Sequence, residues 1–386
     1  MLTGRSLVQA QSQELFTPGL RGFCFPRHRI GSIIYAFVLV ELKMCAMMVS
    51  MVDSQRRSVT IREVAKRAGV AISTASRALS GGSASQRTRE KVERAAQELS
   101  FVPNVSAQRL SSGRSNVVAI VVPESPDFIF ADSFVTGVIS HLAISLTKFH
   151  LQPFLDLSPL SDTDGFTQRL EMSGAEGLVI ISAHQSKTLK NVLKTIDKPI
   201  IFIGKPAGLS SYPFVDVDNY RGGALAAECF ISKDRNKVAV ISGPVDMLAP
   251  RNRTAGFVDT LRQHDIEPLA IEAGTFERSS GALAMHSILE RSPEVDAVFA
   301  HSDEMAAGAL QALTARGKKV PADVSIIGFD NFKLAHSLTP QLTTIAQPLD
   351  QLAKGAAVML EERLRTGKWG VKQQIYDVQL VHRESV

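Results

Sequence analysis

The sequence predicts an α-helical helix-turn-helix headpiece followed by a two-lobed α/β body built on parallel sheets. Three observations carry this expectation. Between Thr60 and Leu99 the apolar residues recur at helical spacing in three short stretches separated by glycine. From Asn116 onward short β-branched runs alternate with helical stretches, the pattern of strands buried on both faces. The chain's 386 residues exceed one ordinary domain, and a 45% hydrophobic, 21% charged composition belongs to a globular protein.

Charge is unevenly spread. Between Arg56 and Arg114 twelve basic residues face four acidic ones, an excess larger than the +5 of the whole chain, so the remainder is acidic on balance. A compact basic block on an acidic body is an electrostatic footprint for a polyanion, and nucleic acid is the commonest one. Cys24, Cys45 and Cys229 are too few and too scattered for a disulfide framework or a zinc site, which fits a reducing cytoplasm and predicts no metal. The apolar run Ile33–Val40 follows Arg27, His28 and Arg29, as in a signal or anchor, but Glu41 and Lys43 stop it well short of the ~20 residues a spanning helix needs. Residues 1–55 are therefore read as a disordered or misassigned extension, with translation starting near Met48 or Met51.

The helices follow in order. Thr60-Ile61-Arg62-Glu63 is a capping box, with Ile61, Val64, Ala65 and Ala68 on one face and Gly69 as the stop. The second helix, Ile72 to Leu79, turns Ala75, Ala78 and Leu79 inward, and Gly81-Gly82 break it. Ser85 opens a third, with Val92, Ala95, Ala96 and Leu99 as its apolar face, and Pro103 closes the unit. Two helices on a tight turn plus a third that completes a core make a helix-turn-helix. Its second helix would enter the major groove, where base edges differ. The exposed positions are Ile72, Ser73, Thr74, Ser76 and Arg77. Ile72 can touch a thymine methyl, Ser73 and Thr74 can bond a base edge, and Arg77 can fork onto guanine or phosphate. Thr60 is counted with them. A plain three-helix surface with solvated charges has the same local pattern. The stretch that follows, "NVSAQRLSSGR", is a polar linker of weak helical potential carrying a lone leucine, Leu110, of the kind that can wedge a minor groove.

The segment 59–114 resembles the headpiece and hinge of the lactose-repressor (LacI/GalR) family. The matching runs are "VTIREVAKRAGVAISTASRALSG", "TREKVERAAQELSFVPN" and the hinge "NVSAQRL", and the likeness continues through the body. The resemblance implies a homodimer on a palindromic double-stranded operator. Ile72, Ser73 and Arg77 would read each half-site, while Ala107 and Leu110, with Asn104 beside them, would enter the minor groove at its centre. Three positions depart from the family: Ala71 stands where a serine or threonine usually caps the recognition helix, Ala75 replaces a common valine, and the loop at 80–86 is about a residue short. The expected domains are 57–103 for DNA binding, 104–114 for a hinge helix and 115–386 for effector binding and dimerisation.

In the body, Val117–Val122, Gly177–Ile181, Pro199–Ile203, Lys237–Ile241, Ala297–Ala300 and Val324–Gly328 read as strands, with helices such as Phe134–Lys148, Gly222–Ile231 and Met305–Arg316 between them. Ligands in such folds lie at the carboxyl ends of strands. The segments after the strands carry Asp127–Asp132, then Arg251 and Arg253, then Ser302 and Asp303, then Asp330, while Gln347 falls beside a chain crossing. Aspartate, arginine and serine around a crevice suit hydroxyls, each needing a donor and an acceptor. The resemblance extends to the family's effector domain, itself similar to periplasmic sugar-binding proteins. It implies Phe130, Asp132, Arg253, Phe257, Ser302 and Asp330 as effector contacts. Ser302 stands where asparagine is frequent, and Lys205 where arginine is. Helix capping, structural ion pairing and core packing are the plain alternatives for each. His301-Ser302-Asp303 fits neither metal-ligand spacing nor a catalytic relay.

These readings imply a DNA-binding transcriptional repressor switched by a small molecule, a sugar by the family likeness, with no cofactor and no membrane partner. A secreted or tethered sugar-binding protein using Ile33–Val40 as anchor is opposed by the basic headpiece. A sugar-acting enzyme on a similar two-lobed fold would need a phosphate-cradling glycine loop or a paired acid and base, and neither G-x-G-x-x-G nor G-x-x-x-x-G-K-[ST] is present. Leu110→Ala is expected to weaken specific operator binding far more than binding to random duplex, because a wedge acts only where the minor groove opens. Equal losses on both DNAs, measured by titration at one salt concentration, would count against the hinge assignment.

Overall fold

The computed structural model describes residues 59–79, 82–102, 115–157 and 163–386. The N-terminal extension and the expected hinge contacts Asn104, Ala107 and Leu110 lie outside the described residues. Two compact units divide at Ser111 and Ser112.

The first unit holds α1 (Ile61–Ala68), α2 (Ile72–Leu79) and α3 (Gln86–Glu98). Thr60 and Glu63 form the capping box, and Gly69 closes α1 at φ 67°, a left-handed conformation that costs glycine nothing. Ser85 caps α3 through the Thr88 amide. Val64, Ala65, Ala75, Ala78, Val92 and Ala95 form the core, with Ile61, Leu79, Ala96 and Leu99 half-buried around it. One device was not read from the sequence. Arg89 of α3 donates to the Ala78 carbonyl at 3.2 Å and to the Gly82 carbonyl at 3.1 Å, which satisfies the end of α2 from outside.

The second unit begins with β1 (Val117–Val121), α4 (Pro126–Ala131), α5 (Ser133–Lys148), β2 (Gln152–Asp156), α6 (Thr163–Ser173), β3 (Ala175–Ile181), α7 (Lys187–Thr195), β4 (Ile200–Ile203) and β5 (Phe214–Val217). It continues with α8 (Asn219–Ile231), β6 (Val238–Ser242), α9 (Leu248–Arg262), β7 (Ala270–Ala273), α10 (Arg278–Arg291), β8 (Ala297–Ala300), α11 (Asp303–Ala315) and β9 (Ser325–Asp330). Last come α12 (Lys333–Ser337), β10 (Thr343–Ala346), α13 (Leu349–Thr366), β11 (Gln373–Tyr376) and β12 (Gln379–Val381). One sheet runs β11-β5-β4-β3-β1-β2 and the other β12-β10-β9-β8-β6-β7. All pairings are parallel except β12 on β10. The chain therefore passes between the lobes three times: from β5 into α8, from β10 into α13, and from β11 into β12. Because β11 and β12 join different sheets, neither lobe is a continuous stretch of sequence.

The strands expected from β-branched runs are present within a few residues of their expected ends. Those passed over are β2, β5, β7, β10, β11 and β12. β2, β7 and β11 are edge strands with several exposed or polar positions, so they lack the apolar run that marks a buried strand. The loop expected after β1 is instead α4, because Ser125 caps it through the Phe128 amide and Pro126 occupies its first turn.

Helices α8 and α9 approach closely through reciprocal glycines. A Cβ on Gly223 would collide with the Arg253 carbonyl, and one on Gly256 with the Tyr220 carbonyl. This contact sets the start of α8, with Asn219, against Arg253 in the middle of α9. Gly256→Ala is expected to destabilise the body by about 1–3 kcal/mol through overpacking against backbone that cannot yield. Urea denaturation of the two proteins checks it, and an unchanged midpoint would mean that the helices can separate freely.

Candidate ligand pocket and nucleic-acid interface

On the headpiece, Ile72 is 47% exposed at the first turn of α2. Ser73 and Arg77 are exposed, and Thr74 and Ser76 are half-buried beside them. Arg77 Nε donates back to the Ser73 carbonyl at 3.3 Å. The Thr60 hydroxyl donates to Glu63 at 2.9 Å, so its capping role is explicit. The surface offers apolar, hydroxyl and guanidinium chemistry along one helix, what a major-groove reader requires.

In the body, a cavity of about 80 Å³ lies between the two lobes. One lobe contributes Asp132, Phe134, Ser182, Lys205 and Asp216, and the other Arg253, Phe276, His301, Ser302 and Asp330. Gln347, at the second crossing, closes the ring. Most of these sit at or just past the carboxyl end of a strand, where side chains are released from the sheet but held by it.

Arg253 is buried and organises the centre. Its Nε donates to Asn219 Oδ1 at 2.9 Å and its Nη1 to the His301 carbonyl at 2.5 Å. The guanidinium carbon lies 3.5 Å above the Phe329 ring, a cation–π contact. Desolvation pulls its pKa down to about 10 against the pull of Asp330, Asp216 and Asp303. The residue also lines the cavity. Asn219 is fixed in turn, since its Nδ2 donates to Asp216 Oδ1 at 3.0 Å. Asp216 accepts from the Lys205 amide at 2.9 Å and the Val217 amide at 2.8 Å.

Asp330 has φ 113°, which a side-chain-bearing residue adopts only under constraint. The constraint is visible. Asp303, fully buried at the start of α11, accepts from the Phe332 amide at 2.8 Å and the Thr344 hydroxyl at 2.5 Å, tying the turn after β9 to β10. Asp330 itself accepts from Gln347 Nε2 at 2.6 Å. Burial drives its carboxyl well above the carboxylate range, with Arg253 opposing. Burial likewise brings Asp303 to about 7 and Asp132 to about 6.

Four of the six expected effector contacts, Asp132, Arg253, Ser302 and Asp330, line this cavity. Asp132 also caps α5 through the Val135 amide at 2.7 Å, and Ser302 caps α11 through the Met305 amide at 3.1 Å. Two expectations are corrected. Phe257 is wholly buried in the core, stacked on Phe299 at 5.1 Å and edge-on to Phe230, because it falls on the sheet-facing side of α9. Phe130 is 65% exposed and outside the lining, because α4 turns Ile129 inward and Phe130 out; Phe134 and Phe276 are the aromatic walls. Sequence reasoning missed Asp216, whose signal was a lone aspartate inside an apolar strand, and His301, which was weighed only for metal or catalysis.

Beside the cavity, the lobes are also joined by charge. His184, after β3, has Nε2 2.8 Å from Glu124 of its own lobe and Nδ1 2.9 Å from Asp246, which follows β6 in the other lobe. Among the described residues no three or more His, Cys, Asp or Glu side chains group as a metal site, and no helix is long and apolar enough to cross a membrane.

A helix-turn-helix unit and a two-lobed body with a cavity between its lobes define a class: a DNA-binding regulator with a receptor body. Comparison with known proteins makes the class specific. Residues 60–104 match the pattern of bacterial regulatory proteins of the lacI family, and residues 227–386 that of the periplasmic binding protein-like domain. The HTH-type transcriptional regulator CelR of Thermobifida fusca is 32% identical over 337 residues, 86% of this chain and 99% of CelR. The structure of a CelR–cellobiose complex superposes with a TM-score of 0.67 at 32% identity, over 85% of this chain and all of that one. The lac repressor dimer bound to operator and the anti-inducer ONPF superposes with a TM-score of 0.73 at 25% identity, over 85% and 99% of the two chains. The chain belongs to the lacI family: it is a sequence-specific DNA-binding transcriptional regulator controlled by a small-molecule effector.

Glu124 foremost, then Asp246, raise His184 to about 9 against the opposing effect of burial. A raised imidazole stabilises the folded body fully below its ordinary value near 6.5, and that contribution is lost as pH rises through about 9. His184→Gln is expected to lower the thermal midpoint below pH 6.5 and to converge on the wild type above pH 9. A difference between the two proteins that is constant with pH would show that the imidazole carries no charge-dependent cohesion.

Proposed function

We propose that this regulator is a cytoplasmic, homodimeric repressor whose cavity takes a neutral, polyhydroxylated effector of the sugar class. The observation that carries the effector class is the balance of the lining. It offers donors at Arg253 and Lys205 and acceptors at Asp132 and Ser302, while burial pushes Asp330 toward its neutral form. Hydroxyl groups, which donate and accept together, suit such a wall better than a fully charged ligand does. The aromatic faces of Phe134 and Phe276 suit the apolar face of a pyranose ring. A bound cellobiose in the related CelR structure supports the same class.

On the DNA side, residues 57–103 serve as the reader, with Thr60, Ile72, Ser73, Thr74, Ser76 and Arg77 facing each half-site. Residues 104–114 act as a hinge that places Asn104, Ala107 and Leu110 at the minor groove. Residues 115–386 bind effector and dimerise, as a lac repressor dimer on its operator supports. The switch is a shift in population: effector binds the closed body better than the open one, and closure alters the separation of the two hinges in the dimer. Its influence on DNA affinity can be no larger than that difference in its own affinity.

Selection of bound DNA from a random pool, with and without a panel of sugars, tests the reading. A palindromic site whose recovery changes with one sugar is expected. Arg253→Ala is expected to weaken that sugar by about tenfold to a hundredfold, since a buried charged donor is lost. No palindrome, or a response that survives Arg253→Ala unchanged, would overturn the proposal.

A further inference from the structure

His301 is fully buried, yet only half of its imidazole is satisfied. Its Nδ1 accepts from the Gly243 amide at 3.3 Å, so in the neutral ring Nε2 carries the hydrogen. That Nε2 has no hydrogen-bond partner among the described residues, although it is buried, and the residue lines the cavity between the lobes. The residue is held from several sides. Its backbone amide donates to the Ile241 carbonyl at 2.9 Å, its carbonyl holds Arg253 Nη1, and its face lies 4.9 Å from the Phe299 ring. Burial and the nearby guanidinium hold the imidazole well below its ordinary range, which keeps it uncharged.

We propose that His301 is a specificity-determining residue of the effector site, whose Nε2–H donates to an acceptor oxygen of the ligand, a ring, ether or hydroxyl oxygen. This deepens the reading of the cavity as the sugar site and rests on it. The donor is fixed by the Gly243 amide on the other nitrogen, so His301 cannot switch to accepting. A donor-only group such as an ammonium at this point is therefore rejected: it would leave two buried donors facing each other. Arg253, a donor-only group that holds the His301 carbonyl, lines the same cavity, which makes this part of it the place for ligand oxygens.

The test uses the two amides that each mimic one imidazole nitrogen. In His301→Asn the side-chain oxygen can stand where Nδ1 stands and keep the Gly243 amide satisfied, but nothing reaches the position of Nε2. In His301→Gln the amide nitrogen reaches that position. The full chain is titrated by calorimetry with cellobiose, D-glucose, D-ribose and D-glucosamine, with ligand-free thermal unfolding as the check on folding. For whichever sugar binds the wild type, His301→Asn is expected to lose about tenfold to a hundredfold in affinity, and His301→Gln to recover most of it. In the wild type, the Nε2–H resonance of His301 is expected to shift when that sugar is added. Unchanged affinity in His301→Asn, an equal loss in both variants, or an Nε2–H resonance indifferent to a bound sugar would each overturn the role of His301 alone. If the wild type binds none of the four sugars, the sugar reading falls and this inference with it.

Discussion

The burial of one guanidinium governs the body of this protein. A cation inside a fold is tolerated only where acceptors and countercharges are already arranged around it. Arg253 gets these from different parts of the chain: Asn219 at the first crossing, the His301 carbonyl after β8, and the Phe329 ring of β9. Asn219 is itself held by Asp216 of the other lobe. The chain of contacts therefore passes from one sheet to the other through the point where the backbone crosses. Removing any member would leave a buried group unpaired, a larger loss than the one hydrogen bond. The glycine-mediated approach of α8 and α9 belongs to the same constraint, since Asn219 and Arg253 meet only if those helices touch.

Strain at Asp330 extends this logic. A left-handed aspartate at the end of a buried strand persists because the following turn is clamped by Asp303 and the side chain by Gln347. The result is a carboxyl group that lines the cavity from a fixed backbone. Fixed dipoles and carboxyls of this kind do not reorganise when a ligand arrives, which reduces the cost of binding.

Much of this was legible in the sequence. Helical spacing between Thr60 and Leu99 located α1 to α3 and their core, because a small helical unit buries one stripe per helix. Long apolar runs located β1, β3, β4, β6, β8 and β9 for the same reason, while the interior strands β5 and β10, each four residues long and broken by Asp216 or by Thr343 and Thr344, were passed over. The edge strands were illegible since they bury one face at most, and α4 was hidden because a six-residue helix shows less than two turns of any pattern. In the pocket, motif resemblance reached Asp132, Arg253, Ser302 and Asp330. It misplaced Phe257, since a phenylalanine one turn from a ligand-facing arginine can equally face the sheet, and only the angle of α9 decides. It passed over Asp216 and His301 because their roles depend on what the neighbouring nitrogen or amide has already accepted, and that is a property of three-dimensional arrangement.

The topology explains why such a pocket can act as a switch. Two of the three crossings carry lining residues or their immediate supports: Asp216 and Asn219 at the first, Gln347 at the second. The crossing segments are thus next to groups that line the cavity. A ligand that bonds Gln347 or its partner Asp330 on one side and Asp132 or Lys205 on the other acts directly on the relative setting of the lobes. The His184 bridge to Asp246 adds a term of the same sign that does not need the ligand. The two lobes are thus linked both by a charge contact beside the cavity and by hydrogen-bonding groups within it, so a change at either one bears on how they are held together.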